Sequence, residues 1–222
     1  MRAALTGRRA GRVATVAVLL ATAVTGAVAA PAQAAPVTLT SGHVDVLDID
    51  YASGALTLAV LDGTGSTDVQ RAPADVVLQV PAAAKVIVPS GSAWSFLGPA
   101  GGTAWVLPQS NTAGLLYAGW NTLDVPSGVL QLNSVTVKLT GVSGPGTFSV
   151  YTVSGGTPTR LYDSSDGLPD TRTVARNTHA HANWGFTAPG TYTVSFEVTG
   201  RLASTGATIS SGVQAFTFTV LP

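Results

Sequence analysis

From about residue 36 onward, hydrophobic and polar residues alternate with a period of two. That is the pattern of strands with one face against a core and the other toward solvent. Gly190–Thr199 is the clearest case: Tyr192, Val194, Phe196 and Val198 form the inward set, and Thr191, Thr193, Ser195 and Glu197 the outward set. Similar strands are predicted over 43–50, 55–61, 75–80, 130–140, 146–153 and 211–220. Turn signals separate them, among them Ser53-Gly54, Gly63-Thr64-Gly65, Gly144-Pro145-Gly146, Gly155-Gly156 and Pro189-Gly190. No segment in this region keeps the i, i+3, i+4, i+7 spacing of a helix. The expected fold is all-β, an antiparallel Ig-like β-sandwich or pair of sandwiches. Its core should include Val135, Val137, Leu139, Phe148, Val150, Tyr192, Val194, Phe196, Phe216 and Phe218.

Residues 89–128 break the alternation and hold three of the four tryptophans and four of the thirteen prolines. They read as a long Trp/Pro/Gly-rich connection, in which Trp94, Trp105, Tyr117 and Trp120 either pin the segment to the sandwich or form a sugar-stacking platform. The chain start carries Arg2, Arg8, Arg9 and Arg12 without an acid, then the apolar stretch Val13–Ala30 and the small-x-small triplet Ala32-Gln33-Ala34. These are the three parts of a secretory signal peptide, with cleavage expected after Ala34. An uncleaved anchor is the alternative, since ~18 apolar residues just span a bilayer. The expected organisation is therefore a signal peptide over 1–34, a β-rich N-terminal half over 35–128 and an Ig-like sandwich over 129–222. The expected location is extracytoplasmic, secreted or at the cell surface, with no membrane span in the mature chain.

Composition narrows the function classes. The 222 residues are 45% hydrophobic and only 10% charged, a balance opposite to that of disordered chains. With 11 basic and 11 acidic residues there is no nucleic-acid footprint. Loss of the four N-terminal arginines leaves 7 basic and 11 acidic residues. The absence of cysteine excludes disulfides, thiolate metal sites and thiol catalysis together. There is no G-x-S-x-G elbow, P-loop or H-E-x-x-H, and Glu197 is the only glutamate, so nothing marks an enzyme. Asp163-Ser-Ser-Asp166-Gly167-Leu-Pro-Asp170 resembles a calcium loop superficially but lacks the alternating acids and final glutamate, and reads as a polar turn.

The three histidines fall in two places, Gly42-His43-Val44-Asp45 and His179-Ala180-His181-Ala182-Asn183-Trp184. Residues i and i+2 of a strand share a face, so His43 pairs with Asp45, and His179 with His181 and Asn183. Two imidazoles so spaced can hold one metal ion, or they are an ordinary polar pair. His43 precedes His179 by 136 positions. One ion can join them only if the first strand lies beside the strand at 178–186, where neighbours are ~4.8 Å apart. His43, Asp45, His179 and His181 would then be the ligands, and zinc or manganese the expected ion.

Four segments resemble the choice-of-anchor M domain of actinobacterial surface proteins: Gly42-His43-Val44-Asp45; Phe96–Gly101 with Trp105–Gln109; Gly119-Trp120-Asn121-Thr122; and Gly144-Pro145-Gly146. The final third, centred on His179-Ala-His181-Ala-Asn183-Trp184, is similar to the surface-anchored repeat domain that accompanies it. The resemblance implies an exported, non-enzymatic protein that acts as a metal-capture accessory to ABC transporter components. The alternative is a structural or adhesive module that contacts cell wall or glycan through Trp94, Trp105 and Trp120.

Overall fold

The computed structural model describes Met1, Ala3 and residues 35–222; apart from those first two residues, the predicted signal peptide lies outside the described residues. The first six strands are β1 (Val37–Leu39), β2 (Gly42–Ala52), β3 (Ala55–Gly63), β4 (Val69–Arg71), β5 (Val76–Val80) and β6 (Lys85–Ile87). Next come β7 (Thr103–Leu107), β8 (Leu116–Asn121), β9 (Ser134–Ser143), β10 (Phe148–Ser154), β11 (Thr157–Asp163) and β12 (Asp170–Ala175). The chain finishes with β13 (His179–His181), β14 (Asn183–Phe186), β15 (Gly190–Arg201) and β16 (Thr208–Val220). Short 3₁₀ turns are the only helical pieces among the described residues.

The strands form three sheets in a sandwich-like arrangement. One has the order β1-β5-β16-β15-β9-β12, the second β11-β10-β14-β7-β6 and the third β13-β8-β2-β3-β4. The first packs its inner face on the second through aromatic rings. Trp184 of β14 lies 5.8 Å from Phe148 and 5.8 Å from Phe218, and 6.3 Å from Phe196, centroid to centroid. β3 of the third sheet runs against β15 and β16 of the first. The alternation in β15 holds, since Tyr192, Val194, Phe196 and Val198 are all fully buried. The other expected core residues, Val135, Val137, Leu139, Phe148, Val150, Phe216 and Phe218, are buried with them in one continuous cluster.

Gly144-Pro145-Gly146 is needed where it stands. A Cβ at Gly146 would sit 2.8 Å from the Tyr192 hydroxyl and 2.5 Å from Thr187 Oγ1, and one at Gly144 would meet the Tyr192 ring. Tyr192 Oη donates to the Ala188 carbonyl at 2.8 Å and accepts from the Ala188 amide at 3.2 Å, pinning the turn into β15.

Three expectations change. The segment 89–128 is not one connection but contains β7 and β8. Ala104, Trp105, Val106 and Leu107 are all buried, as are Leu116, Ala118 and Asn121, so these strands are covered on both faces and carry little alternation. Pairing is not wholly antiparallel: β1–β5, β5–β16 and β2–β8 are parallel. Such pairs need long crossovers, which the intervening segments supply. Finally, strands from both sides of the 128/129 boundary share every sheet, and residues 35–222 belong to one unit.

Among the described residues, no helix is long and apolar enough to cross a membrane. The Asp163–Asp170 turn satisfies itself: Arg160 donates to Asp163 and Asp166 at 2.7 and 3.2 Å, Ser165 donates twice to Asp163, and the Asp163 amide donates to Asp170.

Candidate metal centre

The third sheet assembles the site. Its central parallel pair sets Asp45 of β2 opposite Gly119 of β8, and the antiparallel β8–β13 pair sets His181 opposite the same glycine. Two residues along, on the same face, Tyr117 faces His43. His179 faces Asn121. The two histidine strands are therefore not neighbours, as the sequence led one to expect. β8 lies between them, and their side chains meet above it. They can do so because Gly119 has no side chain: a Cβ there would stand 2.6 Å from His181 Nδ1 and 2.5 Å from the Ala180 carbonyl. Gly63 of β3 makes the matching gap on the far side, 2.6 Å from His43 Nδ1 by the same measure.

His43, Asp45, His179 and His181 converge, with one potential ligand atom from each lying within 4.8 Å of the others. His43 Nε2 and His179 Nε2 are 3.1 Å apart, and Asp45 Oδ1 lies 3.0 Å from His179 Nε2 and 3.6 Å from His43 Nε2. Donors held tetrahedrally by arms of ~2.0–2.1 Å stand about 3.3 Å apart, the middle of that range. The imidazoles form a nearly equilateral triangle with centroid separations of 5.2, 5.1 and 5.0 Å. Three rings sharing one tetrahedral ion have centres about 5 Å apart, because each centre lies roughly 1 Å behind its ligating nitrogen. Among the described residues this is the only such group.

Electrostatics suit a cation. The Asp45 side chain is 1% exposed and its Oδ2 has no hydrogen-bond partner; His181 Nδ1 is likewise buried and unpartnered. Buried polar atoms without partners are costly, and a cation is one way to satisfy them. Burial raises the Asp45 carboxyl above the usual range, against the pull of His179 and His43. Burial, then the neighbouring His43 and His179, bring His181 down to about 4. His181 is thus a neutral imidazole at physiological pH, the form that ligates. Its ring lies flat on Tyr117, 3.5 Å away with 10° between planes, which fixes the plane in which it faces the site. His43 and His179 side chains are 28% and 39% exposed, so one side of the cluster opens to solvent.

A bulge extends the polar row. Between Asp45 and Leu47 the β2–β8 register slips by one residue, so Asp48 falls opposite Asn121 and shares the face of Asp45. Asp48 accepts from Asn121 at 3.1 Å and from Gln70 at 2.8 Å. Burial, with Asp50, Asp45 and Asp124 adding to it against the Gln70 hydrogen bond, pushes Asp48 up to about 6.

Asn183 does not join the histidines. The chain changes sheets at Ala182, and Asn183 turns inward, where its Oδ1 accepts from the Gln109 amide at 2.9 Å and its Nδ2 donates to Gln109 Oε1 at 3.0 Å. The tryptophans are also elsewhere. Trp105 is 7% exposed, Trp120 packs on the main core from the opposite face of β8, and Trp94 stacks on Phe96 in a second cluster. The bulge, and the close approaches that Gly63 and Gly119 allow, were not read from the sequence, where Gly63 counted only as a turn signal. A glycine inside an apolar run is the signal that marks such a close approach.

No protein-family model, curated protein or solved structure matches the chain.

Proposed function

We propose that this is an exported, non-enzymatic protein that binds a divalent metal ion, zinc before manganese, through His43, Asp45, His179 and His181. The observation that carries the reading is the convergence of these four side chains, from strands far apart in sequence, on one point above Gly119. Three imidazoles and one carboxylate make a donor set that favours zinc, whereas manganese prefers more oxygen. The side open to solvent suits an ion that is taken up and given away. That fits an extracytoplasmic accessory to ABC transporter components, the role implied by the family resemblance. The Ig-like reading of the C-terminal strands draws support from the Tyr192 hydroxyl, which ties back to Ala188 as in the tyrosine corner of Ig-like sandwiches. The cell-wall or glycan alternative has less support, because its aromatic platform is largely taken up in packing.

Calorimetric titration of the purified mature chain with zinc and with manganese tests the reading. Wild type should bind one equivalent of zinc, and His179→Ala/His181→Ala should not. Equal, weak binding by both proteins would end it.

A further inference from the structure

The strand that supplies two of the four ligands is poorly supported by its own ladder. β13 is three residues long, lies at the edge of its sheet and pairs only with β8. Short edge strands fray readily, and two ligands on a fraying strand would bind an ion weakly.

Its approach, however, is held by four hydrogen bonds from one threonine in the turn after β8, more than any other residue makes to that turn. Thr122 is fully buried. Its Oγ1 donates to the Ala175 carbonyl at 2.8 Å and accepts from the Thr178 amide at 2.9 Å. Its backbone does as much: the Thr122 amide donates to the Thr178 carbonyl at 2.8 Å, and its carbonyl accepts from the Asn177 amide at 3.0 Å. Asn177, at φ 58°, turns the chain from β12 in one sheet toward β13 in another. These four bonds fix the residue just before His179.

We propose that Thr122 is a positioning residue for the metal centre, its hydroxyl holding the β12–β13 turn so that His179 and His181 stand in place before the ion arrives. The inference rests on the cation reading of the cluster and adds a group that touches no ion. A hydroxyl is needed because the position must donate and accept at once. Valine keeps the shape but leaves the Thr178 amide unpaired and takes from the Ala175 carbonyl one of its two hydroxyl donors, the other being Thr178 Oγ1 at 2.7 Å, whereas serine keeps both bonds.

The test uses the mature chain, zinc chloride as the only ligand, and the variants Thr122→Val and Thr122→Ser. Removing a group that orients metal ligands typically costs 10–100-fold in affinity. Thr122→Val should therefore bind zinc at least about tenfold more weakly than wild type, with Thr122→Ser within about threefold of it. A purely structural role would lower metal-free melting temperature and leave zinc affinity intact. Zinc affinity unchanged in a folded Thr122→Val overturns the proposal, as does Thr122→Ser failing to restore it. Should Thr122→Val not fold, hydrogen exchange on metal-free wild type decides. Amides of Asn177 and Thr178 protected like those of β8 support the clamp, and exchange as fast as an exposed loop overturns it. If wild type takes no zinc, the cation reading fails, and this exchange still decides whether the turn is held.

Discussion

Gly119 stands directly opposite His181 across the β8–β13 pair, and the space where its side chain would be is the space the imidazole ring uses. The consequence can be measured. Gly119→Ala places a methyl group against both the ring and the Ala180 carbonyl, so strand and ligand must move together. Zinc binding should fall by about tenfold or more, in the range seen when ligand orientation is lost. Binding unchanged from wild type would show that the ring does not need the gap.

Zinc affinity should fall as pH drops. An ordinary imidazole gains a proton near ~6.5, and the ion must displace it. His181, held down to about 4, supplies a free nitrogen across this range. Titrations in buffers of different ionisation enthalpy should report proton release that grows as pH is lowered from 8 to 6.

Without metal, two groups oppose one another in their effect on folding. Asp48, raised from 3.8 to about 6, keeps its proton in the folded state when the unfolded chain has lost it, so its contribution to stability falls as pH rises through that window. His181, lowered from 6.5 to about 4, does the reverse, and its contribution falls as pH drops through nearly the same window. Between pH 4 and 6 these two contributions largely offset one another. Asp48→Asn removes one of the pair. It should be more stable than wild type at pH 7, by on the order of 1–3 kcal/mol, and should lose stability on acidification. A variant no more stable than wild type at pH 7 would count against a strained Asp48.

Much of this molecule was legible in its sequence, for a physical reason. Wherever a strand has one wet face, as in β15 with Tyr192, Val194, Phe196 and Val198, the alternation is written in the residues. Where both faces are covered, as in β7, the signal vanishes, and Trp105 and its neighbours read as a connection. The histidines identified themselves by chemistry and spacing, but the strand that lies between them did not. Nothing local in Leu116–Asn121 says that it runs parallel to β2, because that pairing is decided by the whole sheet. Asn183 was misread for the same reason: period two holds only while the chain stays in one sheet.

Phe196 tests the core. It is fully buried and packs its ring against Tyr162, Trp184 and Phe216, at centroid distances of 5.4, 6.3 and 6.0 Å. Phe196→Ala should cost about 3–5 kcal/mol in denaturant unfolding. A loss below about 1 kcal/mol would contradict its burial.

The pairing of His43 with His179 also sets an order of events. The two rings are separated by 136 residues, and the sheet that unites them closes only after β8 has met both β2 and β13. Contacts between such distant segments form late, because the loop they close is long. A chain emerging from its N-terminus therefore carries His43 and Asp45 as two isolated ligands until just over four-fifths of it is out. The complete set exists only in the finished fold, so the cluster is a product of folding and cannot serve as its template.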